Sequence, residues 1–417
     1  DYFGQILERG PVFGKLIWLG DFMIKRELEK EIKKRSEAFP VVAILGPRQS
    51  GKTTLAKHIF KNYKYLSLEN LTLREDAKSD PEGFLKVYDN EPGIILDEFQ
   101  HVPELLSYIQ LTVDVNRRPG FFILTGSQNF LMNRAISQTL AGRIAITTLL
   151  PLSITELENA DLLPNLIEDL VFKGQYPELY SNEKLLPKNW YSNYIKTYIE
   201  RDVRDLKNVQ NLTTFSKFMK LCAARIGQVI NFASLASDVE VDVVTAKSWL
   251  SLLETSYIIF FLQPYSAKFT RRLIKTPKLF FYDTGLASNL LNLRSVDDLK
   301  ISPYRGNLIE SLIISNIAKL YYNEDEQPNI YFLRDKTGHE IDCILEKTNS
   351  LMPIEIKSNM TAKMSFFDEI NFWKNTDQIG GKKIEDGFII YSGDETQKRT
   401  YGTFLSWKDI AKIKKYI

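Results

Sequence analysis

The sequence predicts a multidomain α/β fold, with several units in series. Three observations carry this. Between Met23 and about Leu150, apolar strand segments alternate with helical ones, the pattern of a parallel sheet covered by helices on both faces. From Asn211 to about residue 288 the order changes to three helices and two strands. Beyond residue 300, a long helical segment precedes strands in which acidic and apolar residues alternate. A chain of 417 residues has room for about two to four domains with proper cores. Its 44% hydrophobic and 25% charged residues describe an ordinary globular protein. The net charge of +2 excludes a global field that draws in nucleic acid, so any such surface must be a local patch. Cys222 and Cys343 lie far apart, which argues against a disulfide framework and suits a reducing, cytoplasmic setting. His58, His101 and His339 are too scattered for a zinc site. No apolar run approaches the ~18 residues of a membrane helix, so no membrane partner is expected.

Residues 1–22 carry no basic leader or small-residue cleavage site and are read as an extension outside the fold. The first unit, 23–150, contains the most informative stretch. Gly46-Pro47-Arg48-Gln49-Ser50-Gly51-Lys52-Thr53 follows the apolar run Val41–Leu45 and opens a helical segment beginning Thr54-Leu55. Strand, glycine loop and helix form the context of a phosphate-binding P-loop. The backbone N–H groups from Gly46 to Thr54 would cradle phosphates, with Lys52 at the β- and γ-phosphates of ATP and Thr53 on Mg²⁺. A second strand, Ile94-Ile95-Leu96, ends in Asp97-Glu98. Asp97 would reach the Mg²⁺ through water, and Glu98 would orient and deprotonate the attacking water. A third strand ends in Thr125-Gly126-Ser127, making Ser127 the candidate γ-phosphate sensor and Thr125 the runner-up. Arg143 is read either as an arginine finger, acting in cis or on a neighbouring subunit, or as a surface residue.

Residues 151–210 have helical spacing, with Tyr191, Tyr194, Ile195, Tyr198 and Ile199 on one stripe, and are read as a lid over the nucleotide. Arg201 and Arg204 are read as phosphate contacts or as solvated ion pairs. Residues 211–288 follow winged-helix order. Asn231 and Asp242 are the expected caps of the second and third helices. The third helix, Val243 to Glu254, would present Thr245, Lys247 and Ser248 to DNA. The loop from 268 to 278 carries Lys268, Arg271, Arg272, Lys275 and Lys278 and no acid, a composition able to lie on a phosphate backbone. The stretch Asn289 to Pro303 reads as a connector.

The unit 300–417 holds a second constellation. Glu310 falls in a helical segment, Asp342 on a hairpin strand, and Glu355 and Lys357 on one face of a further strand. Helix-Glu, strand-Asp, strand-Glu-x-Lys is the order of the PD-(D/E)xK nucleases. Asp342 and Glu355 would bind Mg²⁺, Glu310 would complete or orient the site, and Lys357 would position the attacking water. His339 reads as a hairpin surface residue.

Taken together, the chain resembles the prokaryotic AAA-superfamily ATPases whose C-terminal half is an uncharacterised restriction-endonuclease-like domain. The stretches that carry the resemblance include the P-loop, Leu96-Asp97-Glu98-Phe99-Gln100, Leu124-Thr125-Gly126-Ser127, Leu140-Ala141-Gly142-Arg143, Tyr198–Val203, Phe281–Leu286, Tyr331–Asp335, Glu340-Ile341-Asp342 and Ile354-Glu355-Ile356-Lys357. The resemblance spans nearly the whole chain from Met23. It implies a P-loop AAA-type parallel-sheet core, a helical lid, a winged helix and a restriction-endonuclease-like α/β domain. The expected activity is ATP hydrolysis with Mg²⁺, coupled to duplex DNA binding and to DNA cutting. The alternative is a nucleotide-controlled switch whose nuclease-like domain is inactive and docks DNA or a protein partner. A homo-oligomer is compatible with either.

Overall fold

The computed structural model describes residues 23–127, 139–199, 212–266, 276–376 and 379–417. The expectations for residues 1–22, for Arg201 and Arg204, and for Lys268, Arg271, Arg272 and Lys275 lie outside the described residues.

The first sheet has five parallel strands. They are β1 (Val41–Leu45), β2 (Lys64–Ser67), β3 (Ile94–Asp97), β4 (Phe122–Gly126) and β5 (Ile144–Thr148), in the order β2-β3-β4-β1-β5. Strand β1 is buried along its whole length. Val41, Ala43 and Leu45 pack into the core on one face, while Val42 and Ile44 pack into the core on the other. This two-sided burial explains why β1 reads as an unbroken apolar run rather than an alternation. Because every strand is parallel, all the carboxyl ends meet at one edge, where crevices for ligands form in such sheets. The P-loop, Asp97 and Ser127 therefore converge there by topology.

Beyond the sheet come short helices at Ile154–Asn159, Ile167–Lys173, Glu178–Ser181 and Pro187–Tyr194, the third of which lines the cleft. Then come helices Leu212–Ala223, Phe232–Asp238 and Val243–Thr255. Asn231 caps the second by accepting from the Ser234 N–H, and Asp242 caps the third by accepting from the Thr245 N–H. Strands β6 (Ile259–Pro264) and β7 (Lys278–Phe281) follow as an antiparallel pair. The region expected to be a connector contains a helix, Val296–Ile301, capped by the Ser295 hydroxyl. Its first-turn acids, Asp297 and Asp298, suit a helix N-terminus, a signal the composition of the stretch concealed.

The C-terminal unit is built on the long helix Arg305–Asn323 and a mixed sheet. Its strands are β8 (Ile330–Arg334), β9 (Glu340–Glu346), β10 (Ser350–Lys357), β11 (Lys383–Ile384), β12 (Gly387–Tyr391), β13 (Gln397–Arg399) and β14 (Gly402–Ser406). This sheet does not stop at the expected boundary near residue 300. The end of β6 pairs in parallel with β8, Gln263 against Tyr331 and Pro264 against Phe332, so the β6–β7 hairpin and the C-terminal unit share nine strands. One apolar core extends from Ile24 through the short helices to Ile413.

Candidate functional site

The loop after β1 has the backbone geometry its sequence demands. Gly46 lies against the carbonyl of Leu149, where a Cβ would come within 2.1 Å of that oxygen. Gly51 adopts φ +94°, a left-handed conformation that glycine takes without cost. The helix Lys52–Ile59 starts at the cleft with no acidic residue in its own first turn, so the carboxylates nearest its positive end come from the neighbouring strand β3. Lys52 is buried and donates to the Pro47 carbonyl at 2.7 Å. A cleft of 390 Å³ opens beside Gly51, Lys52, Thr53, Thr54 and Glu98, and its far wall is formed by Pro177, Glu178 and Ser181.

Three hydroxyls surround the buried Asp97 carboxylate. Thr53 Oγ1 donates to Oδ1 at 2.8 Å, Tyr65 OH donates to Oδ2 at 2.7 Å, and Thr125 Oγ1 donates to Oδ1. Burial, then the bond to Asp97, pushes the Tyr65 phenol up to about 12, so it remains a donor. Thr125 thus supports Asp97, while Ser127 lies further along the same edge. Gln100 Nε2 donates to Ser127 Oγ at 3.2 Å and to Glu98 Oε2. Glu98 sits at φ +54°, a strained setting for a residue with a Cβ and one that marks functional turns. Burial raises its pKa, opposed by Lys52 and Arg48. The set fits a magnesium–nucleotide complex: Thr53 and Asp97 are adjacent oxygen donors at the mouth of a phosphate cradle.

Arg143 does not join this site. It precedes β5, whose first residue is level with Val41, whereas the P-loop follows Leu45 at the opposite end of the sheet. Four residues of strand, roughly 13 Å, separate the two ends. Its guanidinium is held by both oxygens of Asp114, at 2.5 and 2.9 Å. Arg143 is therefore not a finger in cis.

Arg26 was missed in the sequence, where it looks like one more charge in a surface helix. It is 5% exposed and lies under the P-loop. Nη1 donates to the Ser50 carbonyl at 2.8 Å, Nη2 to the Leu150 carbonyl at 2.6 Å, and Nε to Glu156 Oε1 at 2.9 Å. The segment 150–156 is held from its other side by the helix Arg305–Asn323. Asn316 Oδ1 accepts from the Ile154 N–H at 2.8 Å, and Lys319 Nζ donates to the Leu152 carbonyl at 3.0 Å. Tyr194 OH donates to the Arg48 carbonyl at 3.3 Å, adding a contact from the short helices to the loop.

The second constellation is drawn together by the sheet, but its charges satisfy one another. Asp342 Oδ2 accepts from the Ile356 N–H at 2.8 Å, and Lys357 Nζ lies 2.7 Å from Glu355 Oε2. Burial, reinforced by Asp342, raises Glu310 to about 8 and raises Glu355 as well. Burial would lower Lys357, yet Glu355 and Asp342 outweigh it and raise its pKa. Lys278 is a correction. The sequence reading puts it on an exposed basic loop, whereas it opens β7, is 5% exposed, and pairs with Glu310 and Glu340. Among the described residues no three His, Cys, Asp or Glu side chains are placed to hold a metal ion together. The expected Mg²⁺ set of Asp342 and Glu355 with Glu310 does not fit a metal as arranged here, because Glu310 is paired with Lys278, Glu355 with Lys357, and Asp342 accepts from the Ile356 N–H. His339 stacks on Phe372 and pairs with Glu369, at the rim.

Comparison with known proteins gives the first unit a class. Residues 38–158 match the family model of an AAA domain. The N-terminal core is an AAA-type P-loop ATPase domain. Residues 164–297 and 305–410 match two models described only as domains of unknown function, the second being DUF4143. An uncharacterized protein of Mycobacterium tuberculosis is 27% identical over 347 residues, covering 82% of this chain and 75% of that protein. An uncharacterized protein of Methanocaldococcus jannaschii is 23% identical over 354 residues, covering 78% and 76%. Among solved structures, a Walker-type ATPase of Pyrococcus abyssi aligns with TM-score 0.43 and 16% identity, over 64% of this chain and 96% of that one. The RuvB Holliday junction branch migration motor of Thermotoga maritima aligns with TM-score 0.29 and 16% identity, over 56% and 88%. No described helix is long and apolar enough to cross a membrane.

Proposed function

We propose that this protein is an ATP-driven switch that acts on duplex DNA, with the nucleotide state of the P-loop relayed to the C-terminal unit. The observation that carries the reading is Arg26, whose guanidinium joins the P-loop carbonyl of Ser50 to the segment that the helix Arg305–Asn323 grips. A phosphate entering the cradle pulls on Ser50, and Arg26 and Glu156 pass the shift to that helix.

For hydrolysis, the loop N–H groups and Lys52 bind the phosphates, Lys52 exchanging the Pro47 carbonyl for a phosphate oxygen. Thr53 and Asp97 would hold the Mg²⁺, which would neutralise phosphate charge. Glu98, its pKa raised by burial, accepts the proton of the attacking water, while Gln100 aligns it with Ser127. Three helices followed by the β6–β7 hairpin support a winged helix, and Val243–Thr255 is the helix offered to DNA, with Lys247 exposed on it. The C-terminal unit is read as nuclease-like, and the pairing of its carboxylates with lysines favours docking over cutting in this conformation.

Anisotropy of a labelled duplex, measured over a salt series with Mg²⁺ and either ADP or a non-hydrolysable ATP analogue, tests this. Affinity should fall with salt, differ between the two nucleotides, and weaken in Lys247→Glu. Absence of salt-dependent binding in both states would move the substrate from DNA to a protein client.

A further inference from the structure

Lys278 belongs by sequence to the β6–β7 hairpin, but its ammonium belongs to the acidic cluster. Nζ lies 2.5 Å from Glu340 Oε1 and 3.1 Å from Glu310 Oε1. The Phe332 ring stands 5.6 Å away. Gly227, on the segment paired with β7, lies so close that a Cβ there would be 3.1 Å from Glu310 Oε2. Backbone and ammonium of one module thus close the carboxylates of the other. Lys278 pairs with Leu262 and Gln263 pairs with Tyr331 of β8, whereas Glu340 pairs with Arg334 at the far end of that strand, so ion pairing and not strand register brings the ammonium to Glu340.

We infer that Lys278 is the resident cation of the Glu310–Asp342 cluster, and that the hairpin must withdraw its ammonium before a divalent metal can reach these carboxylates. The inference rests on reading the C-terminal constellation as nuclease-like. A lysine ammonium is a compact point charge with three donors on a flexible stem, so it satisfies two carboxylates at once and can leave as a unit. Metal and ammonium cannot share the position, because like charges a few ångströms apart inside a protein repel strongly. β6 pairs with both β7 and β8, so a shift of the hairpin relative to the C-terminal sheet is the movement that would carry Lys278 out.

The test is Mn²⁺ binding to the full chain without nucleotide, read by the loss of the free-ion EPR signal. Each protein is compared with its Asp342→Asn counterpart to subtract any metal held elsewhere. Wild type and Lys278→Arg should show no Asp342-dependent ion. Lys278→Met and Lys278→Gln should each gain one such ion per chain. Asp342-dependent binding in wild type would overturn the role of Lys278 and leave the metal-site reading standing. Folded Lys278→Met and Lys278→Gln proteins that bind none would overturn the metal-site reading itself. Should neither variant fold, Asp342-dependent binding in wild type or in Lys278→Arg would still overturn the role of Lys278.

Discussion

The P-loop cleft and the acidic cluster both bury charge next to backbone, yet they hold it on different terms. Lys52 donates to a neutral acceptor, the Pro47 carbonyl, and acts through charge on Glu98, beside a 390 Å³ opening. Lys278 rests on two carboxylates beneath a strand and a glycine turn. A phosphate can take Lys52 from a carbonyl with a gain in charge pairing, because bonds between ionised groups are roughly twice as strong as neutral ones. A ligand that takes Lys278 must replace two ion pairs and leave no carboxylate uncompensated. One site is therefore poised for a ligand, and the other is closed by the chain itself. Arg26 touches the P-loop, and the helix Arg305–Asn323 carries Glu310 of the cluster.

Four substitutions break or sharpen this contrast. The largest effect is expected at the open site. Glu98→Gln should lower ATP turnover by about 100-fold or more while nucleotide still binds, as removal of a general base does. Phosphate release together with binding of a fluorescent nucleotide separates the two quantities. Equal loss of both would mean that Glu98 only shapes the cleft. Next is Arg26→Ala, which leaves Glu156 buried without its cation. Urea unfolding should show a loss of about 3 kcal/mol, the scale for breaking a buried pair. A change under about 1 kcal/mol would mean water replaces the guanidinium and the connection is slack.

Lys319 gives a smaller, pH-dependent effect. Burial brings its amine down from 10.5 to about 7, so between those values the folded chain binds fewer protons than the unfolded one. Stability therefore falls as pH drops through that window and is flat in this respect below it. Urea midpoints at pH 9.5 and 7.5 should differ more in wild type than in Lys319→Met, and an unchanged difference would mean the amine stays charged when folded. The smallest effect belongs to Arg143→Ala. It should leave turnover in place, since the side chain pairs with Asp114 at the far end of the sheet, whereas loss of an arginine finger costs about 10³-fold or more. A loss of that size would place Arg143 in a neighbour's cleft.

What the sequence disclosed follows from how each feature is encoded. The P-loop and Asp97-Glu98 are contiguous, and the parallel sheet brings their ends together automatically, so strand, loop and acid were legible. The caps Asn231 and Asp242 act on N–H groups three residues away and were legible for the same reason. Arg26 was not, because its partners lie between 24 and 130 residues distant and its neighbours Lys25, Glu27 and Glu29 suggest a solvated helix. Lys278 was misplaced because four basic residues precede it, and its partners Glu310 and Glu340 lie more than thirty residues away in the chain. The Glu310–Asp342–Glu355–Lys357 constellation could be read as a set, but its closure depends on a module more than thirty residues upstream of Glu310.

The account stands on the connection between cleft and C-terminal unit, and hydrogen exchange across the helix Arg305–Asn323 measures it most directly. The protein is Glu98→Gln, compared with and without ATP and Mg²⁺, and then with Arg26→Ala added. ATP should change protection in that helix, and Arg26→Ala should abolish the change at saturating nucleotide. An unchanged helix in the first comparison, or an undiminished response after Arg26→Ala, would contradict the relay.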